Sequence, residues 1–256
     1  MYNHIKKEIK TVVLRCLSKV KQRYPVRQTD AATDNTYIFV EIGTGSKAEW
    51  TYLIRDDWRD TARRKRRTDS LRSLPESWLS KEGHWHGYLV EAHPRNFCAL
   101  VEKTIGNKKL RPFLHRLTFI NAAISEASLF SAMGMEIGPL SNLFVNRFAL
   151  EETKHLHTDM IDNTVTFKLF TVSLETLISA LNHKHIHLLR LDVEGAEVPI
   201  LKAYPWHLKP MLLSVEHHCQ EGKAFIRQVL ETQGYRIDAQ NPEELRGVLR
   251  EKLSTE

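Results

Sequence analysis

The sequence is poor in cysteine, which argues against a fold held together by disulfides. Its 256 residues include only three cysteines, Cys16, Cys98 and Cys219. Disulfide frameworks are typical of small secreted domains with paired cysteines, so this scattered, odd set indicates a reducing compartment. The wide spacing does not fit a structural zinc site. We therefore expect free thiols and no zinc bound by cysteine.

The sequence also lacks any apolar run approaching the roughly 20 residues that span a bilayer as a helix. The longest apolar run lies around residues 211–215, and its length suits a core strand. No apolar segment of the secretory type occurs near residue 1. We therefore expect a cytoplasmic globular protein, for which 42% hydrophobic and 27% charged residues are ordinary values.

Positive charge is concentrated at one end of the chain. The net charge is +6, and residues 1–28 alone hold eight Lys or Arg against one acid. Apolar residues recur at three- and four-residue steps over 3–24, which predicts an amphipathic helix with a basic face. We favour a packed helix with a solvated basic side over an arm that contacts anionic membrane or nucleic acid. The predicted division is this helix, 1–30, followed by one domain, 31–256.

Apolar, strand-like runs alternate with helical patterns from residue 37 onward. Helical spacing covers 96–106 and most of 223–237, where Gly234 separates a helix from a short strand. Near-continuous apolar strands between helices predict an α/β domain with a parallel sheet covered on both faces. The predicted strands are 37–45, 87–94, 117–125, 186–193 and 211–218.

Two long segments interrupt this alternation. Residues 50–86 are charged and carry four tryptophans, and residues 126–172 combine a loop-like stretch at 133–142 with a strand-like one at 164–173. Long excursions from a compact α/β unit often serve as lids or substrate loops. A helix resumes at 173–182, with Ser173 as the expected N-cap.

A glycine turn follows the first predicted strand. Gly43 and Gly45 come directly after that strand and precede a predicted helix, where glycine permits a tight turn and close approach to a ligand. With Ala48 they also fit the G-x-G-x-x-[GA] pattern of nicotinamide dinucleotide binding. Glu41, at the strand end, favours a cationic ligand, because a carboxylate there would repel a pyrophosphate.

An acid ends the second predicted strand as well. Glu91 follows the apolar run at 87–90, and a carboxylate at that point can accept hydrogen bonds from both ribose hydroxyls. It lies 46 residues after Gly45, whereas a plain βαβ unit separates these positions by about 20. We interpret the excess, in the Trp- and Arg-rich segment, as an insertion after the first helix or an extension of it.

Seven segments in order resemble the FkbM family of S-adenosylmethionine-dependent methyltransferases. The similarity runs from about residue 37 to 238, and "DVEGAE" followed by "ILKA" is its most specific part. The other quoted segments are "VEIGTGS", "GYLVEAHPRNFCAL", "FINAAIS", "TVSLETLI", "LLSVEHH" and "VLETQGYRI". The resemblance implies a class I, Rossmann-like methyltransferase fold with a seven-stranded, mostly parallel sheet. It also implies S-adenosylmethionine as cofactor and, most often, O-methylation of a sugar, glycan or other small metabolite.

The resemblance also implies a set of cofactor-binding residues. Those near Gly43 would line the methionine end of the cofactor, Glu91 would hold the ribose, and Ala122 with its neighbour would flank the adenine. Asp192 would lie near the reactive end, because this fold places the ends of strands one and four side by side. The full set is Glu41, Gly43, Thr44, Gly45, Glu91, Ala92, Asn121, Ala122 and Asp192.

Three carboxylates follow the fourth predicted strand: Asp192, Glu194 and Glu197. Glu197 falls in the first turn of the next helix, where the helix dipole favours an acid. Asp192 and Glu194 share a face if the strand continues, and they could stabilise a sulfonium or position an acceptor hydroxyl. Together with Glu216 they could also bind a divalent cation, but we do not favour a metal site.

A histidine pair at the end of the fifth predicted strand supplies a candidate base. Methyl transfer to a hydroxyl requires loss of its proton, and histidine titrates near neutral pH. His218 is the preferred base and His217 the alternative if the strand face is misjudged. With Asp192 and Glu194, His218 completes the predicted catalytic set.

Three other functions are weighed against a small-molecule or glycan methyltransferase. A nucleic-acid methyltransferase would use the basic N-terminal arm and "RRKRR" at 63–67, yet the remaining chain is near neutral. A nicotinamide-dependent oxidoreductase conflicts with Glu41 and the acidic cluster. A catalytically inactive interaction protein would have lost residues of the cofactor site, and none is missing.

Overall fold

The computed structural model describes residues 36–60, 84–126, 130–136, 144–145, 164–181, 183, 185–238 and 243–250. All of them belong to one compact unit that starts at Thr36. For 130–136, 144–145, 164–170 and 238 only the backbone is described. The predicted N-terminal helix, the "RRKRR" segment and most of 137–163 lie outside the described residues.

The strands of the described chain are short, and most match the predicted runs. Their bounds are β1 Thr36–Ile42, β2 His84–Glu91, β3 Leu117–Asn121, β4 Ala123–Ser125, β5 Phe130–Glu136, β6 Phe144–Val145, β7 Thr164–Ser173, β8 Leu188–Leu191, β9 Leu212–Glu216, β10 Tyr235–Asp238 and β11 Glu244–Leu249. The helices are α1 Pro94–Gly106, α2 Leu174–Leu181, α3 Glu197–Lys202 and α4 Gln220–Thr232, with 3₁₀ helices at Thr51–Ile54 and Arg111–Arg116.

Seven of these strands form the main sheet, in the order β10-β11-β9-β8-β1-β2-β3. Neighbours from β9 to β3 pair in parallel, and only β11 runs antiparallel to its neighbours. The predicted seven-stranded, mostly parallel sheet is therefore confirmed. Because the chain moves from β1 to β2 on one side and occupies β8 on the other, the crevice for a ligand lies at the carboxyl ends of β1 and β8.

Each face of the main sheet carries its own hydrophobic core. Ile38, Val40 and Ile42 of β1 pack with residues of α2, α3 and α4 on one face. Phe39 of β1 packs on the other face with Leu100 of α1 and with residues of the first 3₁₀ helix. This alternation along β1 follows from the two-residue period of a strand. The prediction of helices on both faces is confirmed.

Parts of the two long excursions lie among the described residues. Trp50, Trp58 and Trp85 are buried in the second core, so both described ends of the 50–86 segment are structural. The glycine turn leads into a 3₁₀ helix at 51–54, and not directly into a regular helix as predicted. Residues 133–136, predicted as a loop, end strand β5 of a second sheet ordered β4-β7-β5-β6.

Three further details concern element boundaries. The strand predicted at 117–125 is two strands, β3 and β4, which belong to different sheets. Strand β11 was not predicted, because its alternating charged and apolar residues, "ELRGVL", resemble a surface segment. Ser173 does cap α2, since its Oγ accepts a hydrogen bond from the Thr176 N–H at 3.1 Å.

Among the described residues, no helix is both long and apolar enough to cross a membrane.

Candidate functional site

A cavity of about 250 Å³ opens at the carboxyl end of the main sheet. It lies where the strand order reverses between β1 and β8, the position at which open α/β sheets bind ligands. Its walls come from the loops that follow β1, β2, β3 and β8, namely residues 42–47, 91–93, 122–124 and 192–194, together with Asn96 of α1. Segments distant in sequence thus meet around one space.

Most of the predicted cofactor residues line this cavity. Those at its wall are Gly43, Thr44, Gly45, Glu91, Ala92, Ala122 and Asp192, and Glu194 lies there too. Glu41 and Asn121, although predicted as contacts, are not among the described residues that form the wall. His218 is also outside this set, but its imidazole lies beside Glu194.

The glycine turn is pressed against the end of β8. Gly43 has φ +78°, and a Cβ atom added there would lie 1.4 Å from the carbonyl oxygen of Asp192. Its N–H donates to the carbonyl of Val90 at 2.9 Å. Gly45, with φ +55°, has open space in the direction of a Cβ. Gly43 is thus required by backbone contact, whereas Gly45 is required only by its backbone conformation.

Glu91 connects the end of β2 to the glycine turn. One carboxylate oxygen accepts the Gly45 N–H at 2.7 Å, and the other accepts the His93 N–H at 2.7 Å. The side chain is buried, and this burial raises the pKa of Glu91 to about 7. Each carboxylate oxygen can accept a further hydrogen bond. Glu91 therefore presents acceptors at the cavity wall, as a ribose-binding acid must.

Glu41 lies behind the cavity and not in its wall. The side chain is 0% exposed, and its two oxygens accept the N–H groups of Glu49 and Trp50 at 2.9 and 3.1 Å. Burial raises the pKa of Glu41 to about 7, although Arg190 opposes the shift. This placement favours a role in holding the loop after the glycine turn over the direct cofactor contact that we predicted.

Asn121 has a similar supporting position. Its side-chain amide donates to the carbonyls of Glu91 and Ala92, at 2.7 and 3.2 Å. The amide thus ties the end of β3 to the end of β2. Its neighbour Ala122 lines the cavity, so the predicted adenine pair is divided between one wall residue and one supporting residue.

Asp192 is held at the cavity wall by an arginine that the sequence motifs did not indicate. Its Oδ2 lies 2.9 Å from a terminal nitrogen of Arg190, two residues earlier on β8. The arginine side chain is 13% exposed. An arginine inside the apolar run "LLRL" is costly unless it is paired, and this was the available signal in the sequence.

The residues after Asp192 form a strained turn. Glu194 has φ +53°, a backbone conformation that residues other than glycine adopt rarely. Glu197 supports the turn, since its two oxygens accept the N–H groups of Val193 and Gly195, both at 2.9 Å. Glu197 begins α3, as predicted from the helix dipole. It also fixes the turn that carries Glu194, which the sequence did not indicate.

His218 faces three carboxylates. Its Nε2 lies 3.6 Å from an oxygen of Glu197 and 3.8 Å from oxygens of Glu194 and Glu216. Its pKa is raised, mainly by Glu197, although partial burial opposes the shift. His217 differs, because burial lowers the pKa of its imidazole. The structure thus brings His218 to the acidic cluster, as predicted for the preferred base.

The same cluster is where a cation would fit. Ligand atoms of Glu194, Glu216 and His218 lie within 4.8 Å of one another. Burial and the neighbouring Asp192 raise the pKa of Glu216. Asp192, the other acid considered as a ligand, pairs with Arg190 through one carboxylate oxygen and lies within hydrogen-bond reach of Glu216. These groups could hold a divalent ion, although acidic groups at a functional site need not coordinate one.

The cavity residues suit S-adenosylmethionine chemically. Thr44 is 6% exposed, and its hydroxyl has no hydrogen-bond partner among the described residues, so it is available to a polar ligand. Glu91 provides acceptors for ribose hydroxyls, and Asp192 provides negative charge for an ammonium or sulfonium group. The backbone of the glycine turn packs so closely against the end of β8 that a methyl group on Gly43 would clash with the carbonyl group of Asp192.

Comparisons with known proteins point to one family. The sequence profile described as the Methyltransferase FkbM domain matches residues 69–237, more than half of the chain. No curated protein matches the sequence. Methyltransferase FkbM from Methylobacillus flagellatus KT is a similar solved structure, with 13% identity, a TM-score of 0.44, and coverage of 87% of this chain and 46% of that one.

Two other solved structures show comparable similarity. Precorrin-6y C5,15-methyltransferase from Geobacter metallireducens GS-15 has 10% identity and a TM-score of 0.36, covering 85% of this chain and 82% of that one. The N-terminal domain of human METTL16 in complex with SAH has 12% identity and a TM-score of 0.37, covering 92% and 69%.

The family assignment rests on the profile match. This chain spans 46% of the length of the Methylobacillus protein. The matched range begins after the glycine turn and includes the strand ends that carry Glu91, Asp192 and His218. The sheet order and the cavity described above agree with the fold that the motifs predicted. The chain therefore belongs to the FkbM family of S-adenosylmethionine-dependent methyltransferases.

Proposed function

We propose that this methyltransferase methylates a hydroxyl group on a sugar, glycan or other small metabolite. The observation that carries the proposal is the placement of Glu91 and Asp192 in the wall of one cavity, on either side of the glycine turn. An acid at the end of β2 suits a ribose, and one at the end of β8 suits the reacting end of the cofactor. The acidic cluster with His218 lies immediately beside Glu194 of that wall.

The residues that would hold the cofactor follow from the wall. Glu91 would accept the ribose hydroxyls, Ala122 would lie against the adenine, and Thr44 would donate to a polar group of the methionine part. Asp192 would face the positively charged end. When bound, S-adenosylmethionine supplies a methyl group activated by the positive charge on its sulfur. The protein then has mainly to align an acceptor oxygen with that group.

Proton removal from the acceptor is the remaining chemical task. His218 is the proposed base, with Glu194 orienting the hydroxyl beside it. Because Glu197 raises its pKa, His218 must first lose its own proton to accept another. The base form therefore grows as pH rises through that raised pKa. We expect methyl transfer to be faster above this pKa than below it.

The first experiment measures cofactor binding by titration calorimetry on the full chain. S-adenosylmethionine and S-adenosylhomocysteine are titrated separately, each with and without Mg²⁺. Binding of both, independent of Mg²⁺, is expected. Absence of binding for both cofactors would contradict the proposed function, and binding that requires Mg²⁺ would assign a cation to the acidic cluster.

The acceptor class is tested next with S-adenosylmethionine that carries a radioactive methyl group. Sugars and hydroxylated small metabolites form one panel, and RNA forms the other. We expect label on a small acceptor, with little change between low and high salt. Label on RNA that falls steeply with salt would instead support the nucleic-acid alternative, since phosphate contacts weaken as salt rises.

The two wall acids should have separable effects. Glu91→Ala should weaken cofactor binding roughly tenfold to a hundredfold, the cost of losing one or two hydrogen bonds to a charged group. Asp192→Ala should reduce turnover of the identified acceptor more than it reduces cofactor affinity. Glu102→Ala, which removes an exposed carboxylate of α1, is the matched control and should change neither value. Equal losses of affinity and turnover in both wall variants would contradict this division of roles.

A further inference from the structure

Arg190 is a charged residue in the middle of a central parallel strand. Its neighbours on β8, Leu188, Leu189 and Leu191, are fully buried, and its own side chain is 13% exposed. A buried guanidinium is destabilising unless several hydrogen-bond or ionic partners compensate it. Its presence in β8 therefore calls for a functional explanation beyond packing.

Three carboxylates surround the guanidinium. One terminal nitrogen lies 2.9 Å from Asp192, the other lies 3.5 Å from Glu49, and Nε lies 3.4 Å from Glu244. Burial lowers the pKa of Arg190, but these carboxylates, together with Glu41, outweigh that effect, raise the pKa above its ordinary value and keep the guanidinium charged. The guanidinium is planar and carries donors in several directions, so one side chain can interact with all three carboxylates. The contact with Glu244 is ionic only, because the Arg190 Nε has no hydrogen-bond partner among the described residues.

The three partners belong to separate parts of the site. Asp192 lies in the cavity wall, and Glu49 lies in the loop whose backbone N–H groups are held by Glu41. In the sheet register, Arg190 pairs with Glu41 of β1 on one side and with Ser214 of β9 on the other. Arg190 thus joins the glycine-turn loop, the cavity wall and β11 from beneath the point where the strand order reverses.

Several of the other neighbours of Asp192 are acids, which makes a positively charged partner important for its position. Burial raises the pKa of Glu91, Glu194 and Glu216, and coulombic interaction with Asp192 raises each of them further, so the four carboxylates lie close together. Glu216 also lies within hydrogen-bond reach of Asp192. Without Arg190, this contact and the repulsion from the other acids would set the orientation of the Asp192 carboxylate. The contact at 2.9 Å fixes one of its oxygens.

We infer that Arg190 is a positioning residue, which holds the Asp192 carboxylate at the cavity wall in the orientation that recognises the charged end of the cofactor. This inference rests on the proposed function. It assigns no contact between Arg190 and the cofactor, and Arg190 acts only through Asp192. The expected consequence is selectivity for the positively charged cofactor over its neutral demethylated product.

The test compares affinities for S-adenosylmethionine and S-adenosylhomocysteine, which differ by a methyl group and a positive charge on sulfur. A fixed carboxylate nearby should favour the charged form, and Asp192→Asn should lower the affinity ratio about five- to tenfold. Arg190→Lys keeps the charge, but a single amine cannot reach three carboxylates. It should lower the ratio by a similar factor, with little change in affinity for S-adenosylhomocysteine.

Arg246→Lys is the matched control. Arg246 is 8% exposed and pairs with Glu244 at 2.9 Å on strand β11, which β9 separates from β8. The Arg246→Lys variant should leave the affinity ratio unchanged, even if it lowers thermal stability. A loss of stability alone would weaken the binding of both compounds equally and would not alter the ratio of their affinities.

The outcomes separate the two proposals. An unchanged ratio in Arg190→Lys, or an equal fall in Arg246→Lys, would overturn the role of Arg190 while leaving the methyltransferase proposal intact. Failure of the unmodified chain to bind either cofactor would remove both proposals. If Arg190→Lys does not fold, a crystal structure of the unmodified chain with S-adenosylhomocysteine decides, since an Asp192 carboxylate beyond hydrogen-bond distance of Arg190 would refute the inference.

Discussion

An alanine at position 43 would place a methyl group inside the backbone of the neighbouring strand end. The added Cβ would lie 1.4 Å from the carbonyl oxygen of Asp192 and 2.5 Å from its carbonyl carbon. Real contacts of this kind are longer than 3.0 Å, so the glycine turn and the end of β8 would have to separate. The obstacle is backbone, which cannot move aside as a side chain does.

The magnitude follows from two contributions. The positive φ of Gly43, +78°, costs a residue with a side chain roughly 1–2 kcal/mol. Forcing an extra methyl group into a packed site adds typically about 1–3 kcal/mol, and more where the backbone must shift. Gly43→Ala should therefore lower the free energy of unfolding by about 3 kcal/mol or more. It should also weaken cofactor binding, because the displaced groups form the cavity wall.

Gly45→Ala is the matched control for this prediction. Gly45 also has a positive φ, +55°, but nothing lies within 4 Å of the point that the alanine methyl group would occupy. Its cost should be limited to the conformational contribution, roughly 1–2 kcal/mol. Urea denaturation gives the unfolding free energies, and calorimetry gives the cofactor affinities. Equal destabilisation by the two variants would refute the argument that Gly43 is required by contact with Asp192.

Two further predictions concern stability. The pKa of Glu41, raised from 4.5 to about 7 by burial, means that the folded state holds this proton more tightly than the unfolded state. The contribution of Glu41 to the free energy of unfolding is thus fully present below pH 4.5 and is lost as pH rises through 7. The total loss is on the order of 3 kcal/mol. Glu41→Gln should remove that slope from unfolding free energies measured across the range, and parallel curves for variant and wild type would contradict it. Ser173→Ala should destabilise by about 1 kcal/mol in urea denaturation, because it removes the cap of α2. Thr118→Ala, at an exposed position of β3, is its control, and an equal loss there would exclude the capping explanation.

Local patterns in the sequence were sufficient to predict much of the fold. The apolar runs at β1, β2, β8 and β9 are long enough, and glycine and proline punctuate them clearly enough, to predict a parallel sheet. Capping by Ser173 and the acid at the start of α3 also depend only on neighbouring residues. Strand β11 escaped prediction because its pattern is set by pairing with distant strands and not by local composition.

The candidate site was predictable where a residue occupies the end of a strand. Parallel strands bring their carboxyl ends to one edge, so Gly43, Glu91 and Asp192 had to lie near each other once the sheet order was right. The direction in which each side chain points could not be predicted in the same way, because a side chain at a strand end can face a ligand or a neighbouring loop. Glu41 turns to the backbone of Glu49, and this choice depends on the path of the loop.

The sequence by itself determined the class of fold, the family motifs and the strand ends from which the site is built. The tertiary structure decided which groups meet: Arg190 with Glu49 and Glu244 from distant parts of the chain, and His218 with Glu197 at the start of α3. Both pairings join charges whose energy depends on burial and on distances of a few ångströms. Those quantities exist only once the sheet, its helices and its loops are packed together.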